Sequence, residues 1–182
     1  MGQNYLFNVR KIICRDIDTK YIKNVTCYIK AERSRLGVLN LEYTFVNADN
    51  VKFTMRQFSR NSHGNYQPLL VPINFDLCNL NDRDSNSLFN FGDIIKKEIK
   101  KNFPAFTNGC PVNGTFKMLN ADWNRDTNRV HDIIPILPTG DFAINSRYYN
   151  GITNRTYINV NIYWTVQRAG RNAVDLSFLN MG

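Results

Sequence analysis

The stretch Thr156-Tyr157-Ile158-Asn159-Val160-Asn161-Ile162-Tyr163-Trp164-Thr165-Val166 decides the fold. Side chains of an extended strand alternate between faces with period two. Ile158, Val160, Ile162, Trp164 and Val166 therefore share one face, and Tyr157, Asn159, Asn161, Tyr163 and Thr165 share the other. The pattern is that of an antiparallel strand with one face on a core and the other wet.

The same alternation recurs earlier in the chain. Over residues 38–45, Leu39, Leu41, Tyr43 and Phe45 face one way and Asn40, Glu42 and Thr44 the other. Asn47, Asp49 and Asn50 supply turn chemistry before residues 51–56, which alternate in turn and read as the second arm of a hairpin. Further strands are expected over 7–13, 22–30, 69–77, 115–120 and 141–149, punctuated by Gly, Asn, Asp and Pro. One segment departs from this rule. Between residues 87 and 103, Leu88, Phe91, Ile94, Ile95 and Ile99 recur at helical spacing, with Lys96, Lys97, Lys100 and Lys101 on the opposite face. This predicts one amphipathic helix, capped by Asn86 or Ser87 and ended before Pro104. Seven or eight short strands with one inserted helix give a mostly β fold, either an antiparallel two-sheet sandwich, immunoglobulin-like in architecture, or an open cup. A chain of 182 residues fits one domain with a real core. That core is expected over about residues 7–167, followed by a short flexible C-terminal tail.

Composition narrows the class. With 43% hydrophobic, 21% charged and 13% aromatic residues, the chain is ordinary globular protein rather than disordered. No apolar run is long enough for a membrane-spanning helix. The net charge of +8 raises nucleic acid as a partner. Outside the predicted helix, however, Lys and Arg are scattered and do not interleave with aromatics along one strand, so no nucleic-acid partner is expected. The helix lysines read as a solvated face.

Four cysteines, Cys14, Cys27, Cys78 and Cys110, form no CxxC pair and have no neighbouring histidine, which points to disulfides rather than a metal. Three pairings are open at this stage. Three sequons, at Asn24, Asn113 and Asn154, accompany them as glycosylation candidates. Residues 1–6 lack the basic start and apolar stretch of a signal peptide. The cysteines and sequons outweigh this, so an extracellular protein is expected, with a signal peptide absent from this sequence.

Catalytic machinery is missing from the sequence. His63 and His131 are the only histidines and lie in unlike polar surroundings, and no HExxH, GxSxG, GxGxxG or phosphate-loop pattern occurs. Asp82, Asp84, Asp122 and Asp126 sit in turn-like stretches where Asp is a routine structural choice. No enzyme, no cofactor and no metal are expected.

Several short stretches carry a resemblance. Tyr66-x-Pro68-Leu69-Leu70, then Asp76-Leu77-Cys78, then a helix, then Asn108-Gly109-Cys110-Pro111-Val112-Asn113-Gly114, then Pro138-Thr139-Gly140-Asp141-Phe142 occur in an order that resembles a large insect family of unknown function. That family contains the CheB-type chemosensory proteins. The resemblance runs from about Cys14 to Gln167, and all four cysteines match. The family is similar to the ML lipid-recognition superfamily, whose sandwich opens into a hydrophobic cup. The resemblance implies binding of a lipid or hydrophobic semiochemical, and it implies the pairings Cys14–Cys27 and Cys78–Cys110.

A cup has a physical logic of its own. If two sheets splay at one end, their inward side chains line space in which an acyl chain replaces water, at about 0.8 kcal/mol per buried methylene. Residues on apolar strand faces are the candidate liners: Phe53, Met55, Phe75, Leu77, Phe142, Ile144, Ile158, Val160, Ile162 and Trp164. Ile95 and Ile99 of the helix would close the cup or cover a sheet edge. Two functions follow: a secreted, monomeric carrier of a lipid, pheromone or other hydrophobic small molecule that acts in chemosensation with a membrane receptor as partner, or a closed extracellular interaction module with no internal ligand.

Overall fold

The structure is a computed structural model, which describes residues 5–32, 35–80, 99–101, 103–121 and 139–168. Its strands are β1 (Tyr5–Arg15), β2 (Ile22–Glu32), β3 (Arg35–Ala48), β4 (Val51–Arg60), β5 (Tyr66–Pro68), β6 (Ile73–Asp76), β7 (Val112–Ala121), β8 (Gly140–Asn150) and β9 (Thr156–Arg168). Two antiparallel sheets result. The larger runs β1-β9-β8-β4-β5, with β6 also paired to β4, and the smaller runs β2-β3-β7. One buried cluster draws Phe7, Phe53, Phe142 and Trp164 from the larger sheet and Leu39, Tyr43, Phe45 and Phe116 from the smaller. The fold is the mostly β, two-sheet sandwich that the alternation predicts.

Three expectations are corrected. The strands of residues 38–45 and 51–56 do not form a hairpin, because β3 pairs with β2 and β7 while β4 pairs with β8, β5 and β6. The turn between them carries the chain from one sheet to the other. Asn47 and Asn50 take φ of 46° and 49°, a left-handed conformation that Asn tolerates better than most residues. Ala48 and Val51 are fully buried at the crossing. Alternation says which face a side chain takes and nothing about which strand lies beside it.

Residues 69–77 are not one strand. β5 ends at Pro68, Pro72 has no N–H for a ladder, and only Ile73–Asp76 pair with β4. Leu77–Asn79 then form a 3-10 turn whose first free amide, that of Cys78, donates to Asp76 Oδ1 at 3.0 Å.

Nor is the polar face of β9 wet throughout. β9 lies between β1 and β8, and neighbouring side chains cover Tyr157, Asn161 and Thr165, all of them buried. Asn161 accepts from the Asn145 amide, and Tyr157 Oη donates to the Asp49 carbonyl at 2.6 Å. Asn40 on β3 is likewise buried, accepting from the Asn120 amide at 3.0 Å. Each of these groups is satisfied, as burial of a polar group requires.

Of the predicted helix, residues 99–101 are helical, and the Phe103 amide donates to the Ile99 carbonyl at 2.8 Å. The rest of the segment predicted as helical, including its expected cap and Ile95, lies outside the described residues.

Candidate functional site

Strand register brings most of the predicted liners onto one surface. On the inner face of the larger sheet, Ile158, Tyr148, Phe53 and Phe75 lie side by side across β9, β8, β4 and β6. The next inward row is Cys14, Val160, Ser146, Met55 and Ile73. Beyond it come Ile12, Ile162, Ile144 and Gln57, and then Val9, Trp164, Phe142 and Ser59.

Solvent access differs from row to row. The first row is sealed by rings. Phe53 packs on Tyr148 with centroids 4.8 Å apart, Tyr148 meets Tyr43 and Phe45 edge-on, and Phe116 stacks between Tyr43 and Phe103 at 4.8 and 3.8 Å. Phe103 and Phe106 arrive from the segment around a 3-10 turn at Pro104–Asn108, which the Cys78–Cys110 disulfide ties to the end of β6. The last row is also covered, with Trp164 stacked on Phe142 at 5.9 Å. Between these layers, Met55, Ile73 and Ile144 keep partial exposure although they point inward. Ile12, Ile29, Ile99 and Met118 are partly buried against the same core. An inward apolar side chain that retains accessible surface borders space that protein atoms do not fill.

The sealed layer brings two phenols together across the two sheets. The rings of Tyr43 and Tyr148 meet edge-on, and each hydroxyl bears on the other's ionisation. Burial pushes the Tyr148 hydroxyl up to about 12, against a smaller lowering by the neighbouring Tyr43 hydroxyl. Burial, with Tyr148 beside it, raises Tyr43 as well. Both phenols are therefore neutral at physiological pH and the layer carries no charge.

The predicted residues divide accordingly. Phe53, Phe75 and Ile158 belong to the aromatic seal, and Leu77 is buried beneath it on the 3-10 turn. Val160 and Ile162 floor the middle rows, Met55 and Ile144 are its partly exposed members, and Phe142 and Trp164 form the far layer. Ile99 packs against the core from the helix end, and Ile95 lies outside the described residues. Sequence reasoning missed Ile12, Ile73 and Met118. Ile73 and Met118 carried a usable signal, since Ile73 alternates with Phe75 and Met118 with Phe116. Ile12 did not: a bulge between Val9 and Lys11 shifts the register and inverts the parity of β1.

Cys14–Cys27 joins β1 to β2 and so links the two sheets, with Cα atoms 6.2 Å apart. Cys78–Cys110 has Cα atoms 4.9 Å apart. Of the sequons, Asn24, at a bulge in β2, and Asn154, in the β8–β9 connection, are exposed with left-handed φ of 52° and 58°. Asn113 is exposed too, but its Oδ1 accepts from the Asn47 amide at 2.8 Å. His63 is exposed in the β4–β5 turn, and His131 lies outside the described residues. Among the described residues, no group of three His, Cys, Asp or Glu side chains could hold a metal ion.

Residues 51–144 match the family described as "Protein of unknown function (DUF1091)". The match runs from β4 into β8 and includes both cysteines of the second disulfide. No curated protein sequence matches the chain. Among solved structures, the chain is similar to a Niemann-Pick type C2 protein from the Japanese carpenter ant, at 10% identity over 89% of this chain and 92% of that one, with a TM-score of 0.29. At that score the fold assignment rests on the strand pairing described above.

Proposed function

This chain belongs to the DUF1091 family of unknown function, and from that premise we propose that it is a non-catalytic binding protein for a lipid or other hydrophobic small molecule. The ligand lies between the two sheets, over the middle rows of the larger one. Met55, Ile73 and Ile144 carry this reading, because they point inward and yet keep accessible surface between two buried layers. Val160 and Ile162 floor the site, Ile12 and Met118 flank it, and Ile99 stands where the helix approaches. Every one of these side chains is aliphatic or a thioether, so the site recognises shape and apolar area rather than charge. Burying a chain of ten methylenes there would contribute about 8 kcal/mol before ordering costs, enough for binding at about micromolar level. The two disulfides support an oxidising compartment, extracellular or lumenal. The ordered motifs that resemble those of CheB-type proteins support a hydrophobic semiochemical as a ligand class.

Titration with a panel of fatty acids, sterols and hydrocarbons, followed by tryptophan fluorescence, tests the reading. Trp164 lies two residues from Ile162 on the same inner face and reports occupancy of the neighbouring space. Saturable binding that Ile144→Phe abolishes supports the site. A wild-type protein that ignores the whole panel rejects it.

One observation favours a second reading. Leu69, Leu70 and Val71, between β5 and β6, are 36%, 55% and 84% exposed and form a contiguous apolar loop. Such a loop suits contact with another extracellular protein, such as a membrane receptor. Replacing Leu70 and Val71 by Ser separates the readings, since it removes that contact and leaves ligand binding untouched.

A further inference from the structure

The outer face of the larger sheet, opposite the apolar site, holds a cleft of about 490 Å³ at the crossing of β1, β9, β8 and the β4–β5 turn. Three cations line it, Arg10, Lys11 and Arg60, against one carboxylate, Asp141. The bulge in β1 builds it. Val9 stands opposite Trp164 and Lys11 opposite Tyr163, so Arg10 is the extra residue of the bulge. In a regular strand Arg10 and Lys11 would point to opposite faces, but here both reach the outer face.

A polar chain holds the cleft in shape. Arg10 Nε donates to Thr165 Oγ1 at 3.1 Å, and Thr165 donates onward to Asp141 Oδ1 at 2.8 Å. From the other side, Arg60 pairs with Asp141 Oδ2 at 3.4 Å and its Nε donates to the Gly64 carbonyl at 3.0 Å. Gly64 takes φ of 84°, which a side chain would strain. Both guanidinium groups are thus anchored through Nε. Among the described residues, the terminal nitrogens of Arg10 and the ammonium of Lys11 have no hydrogen-bond or ion-pair partner. Tyr66 and Tyr163 pack edge to face at 5.7 Å and form an aromatic wall. Burial, then the Asp141 carboxylate, raises Tyr66 above its ordinary value, so its phenol stays protonated and able to donate.

We propose that this cleft binds an oxyanion of the phosphate- or sulfate-ester class, held by the Arg10 guanidinium and the Lys11 ammonium, with the body of its carrier against Tyr66 and Tyr163. A planar guanidinium fork beside a mobile ammonium suits a tetrahedral oxyanion. The cleft falls within the ~300–1,000 Å³ of small-molecule sites, which is more room than a bare inorganic ion needs. The site is independent of the apolar one, since it uses the other face of the sheet.

The test is titration of the full chain with glucose 6-phosphate, glucose 6-sulfate and glucose, by calorimetry and by amide shifts in NMR spectra. A parallel arm uses phosphatidylcholine vesicles with and without phosphatidic acid. The two esters should bind saturably and glucose should not, with the largest shifts at Lys11, Tyr163 and Thr165. Arg10→Ala with Lys11→Ala should weaken binding about tenfold or more, as expected for lost charge-assisted hydrogen bonds. Lys23→Ala with Lys30→Ala removes the same charge from the smaller sheet and should change nothing. Binding of phosphatidic acid vesicles with the same variant dependence identifies a lipid headgroup as the source, and binding of the soluble esters alone identifies a soluble one. No binding in either arm, equal losses in the two double variants, or shifts spread over all surface lysines would overturn the proposal.

Discussion

Tyr148 shows how a single residue carries a pH dependence for the whole chain. Its hydroxyl, pushed up to about 12 by burial, resists the ionisation that an unfolded tyrosine undergoes near 10. The folded-state value is the higher one, so the stabilising contribution is complete below pH 10 and is lost as pH rises toward 12. Denaturation in urea at stepped pH should show stability falling over that window, by on the order of 2 kcal/mol for this residue. Tyr148→Phe should flatten the fall, leaving what Tyr43, Tyr66 and Tyr157 add. A second prediction at this scale concerns space. Ile144→Phe should cost less than about 1 kcal/mol because free volume lies beside it, whereas Ile158→Phe, in the sealed layer, should cost about 1–3 kcal/mol or more. Thermal unfolding of the two variants decides between an unfilled middle and a packed one: equal large costs would mean that no space exists at Ile144.

At the scale of elements, the disulfides divide the labour. Cys14–Cys27 spans 13 residues and joins the sheets, whereas Cys78–Cys110 spans 32 and anchors the segment that supplies Phe103 and Phe106 to the aromatic seal. Loop-closure entropy makes the second worth about 1 kcal/mol more than the first, each contributing roughly 3–4 kcal/mol. Urea denaturation of the paired Cys→Ser variants should give that order, and the reverse order would show that sheet-to-sheet attachment outweighs chain entropy. Strand identity was legible at this scale because Leu39-x-Leu41-x-Tyr43-x-Phe45 and Ile158-x-Val160-x-Ile162-x-Trp164 admit no helical reading. Partnership was not. Asn47 and Asn50 announce a turn, but whether that turn closes a hairpin or crosses between sheets depends on which faces must be buried, and β4 completes the larger sheet. Bulges hide in the same way: the one at Arg10 moves Ile12 to the inner face and puts Arg10 and Lys11 together on the outer one, and no residue pattern in β1 marks it.

For the molecule as a whole, the larger sheet separates two chemistries. Its inner face offers aliphatic side chains, some of them partly exposed, and its outer face offers a cleft lined by cations and tyrosines. The inner site was partly legible in the sequence, since Met55, Ile144, Val160 and Ile162 stand out by alternation alone. Phe53, Phe75 and Ile158 look identical to them in pattern, and only the packing of Tyr43, Phe103 and Phe116 over that end assigns them to the seal. The outer cleft was illegible, because its residues come from five strands that only the fold assembles.

The most direct test of the central claim, a hydrophobic ligand between the sheets, is native mass spectrometry of protein made in an oxidising host, with organic extraction of whatever accompanies it. The account predicts a protein with four oxidised cysteines and a bound hydrophobic molecule that Ile144→Phe displaces. A protein of the same oxidation state that carries nothing, and takes up nothing when offered lipids and hydrocarbons, would contradict it.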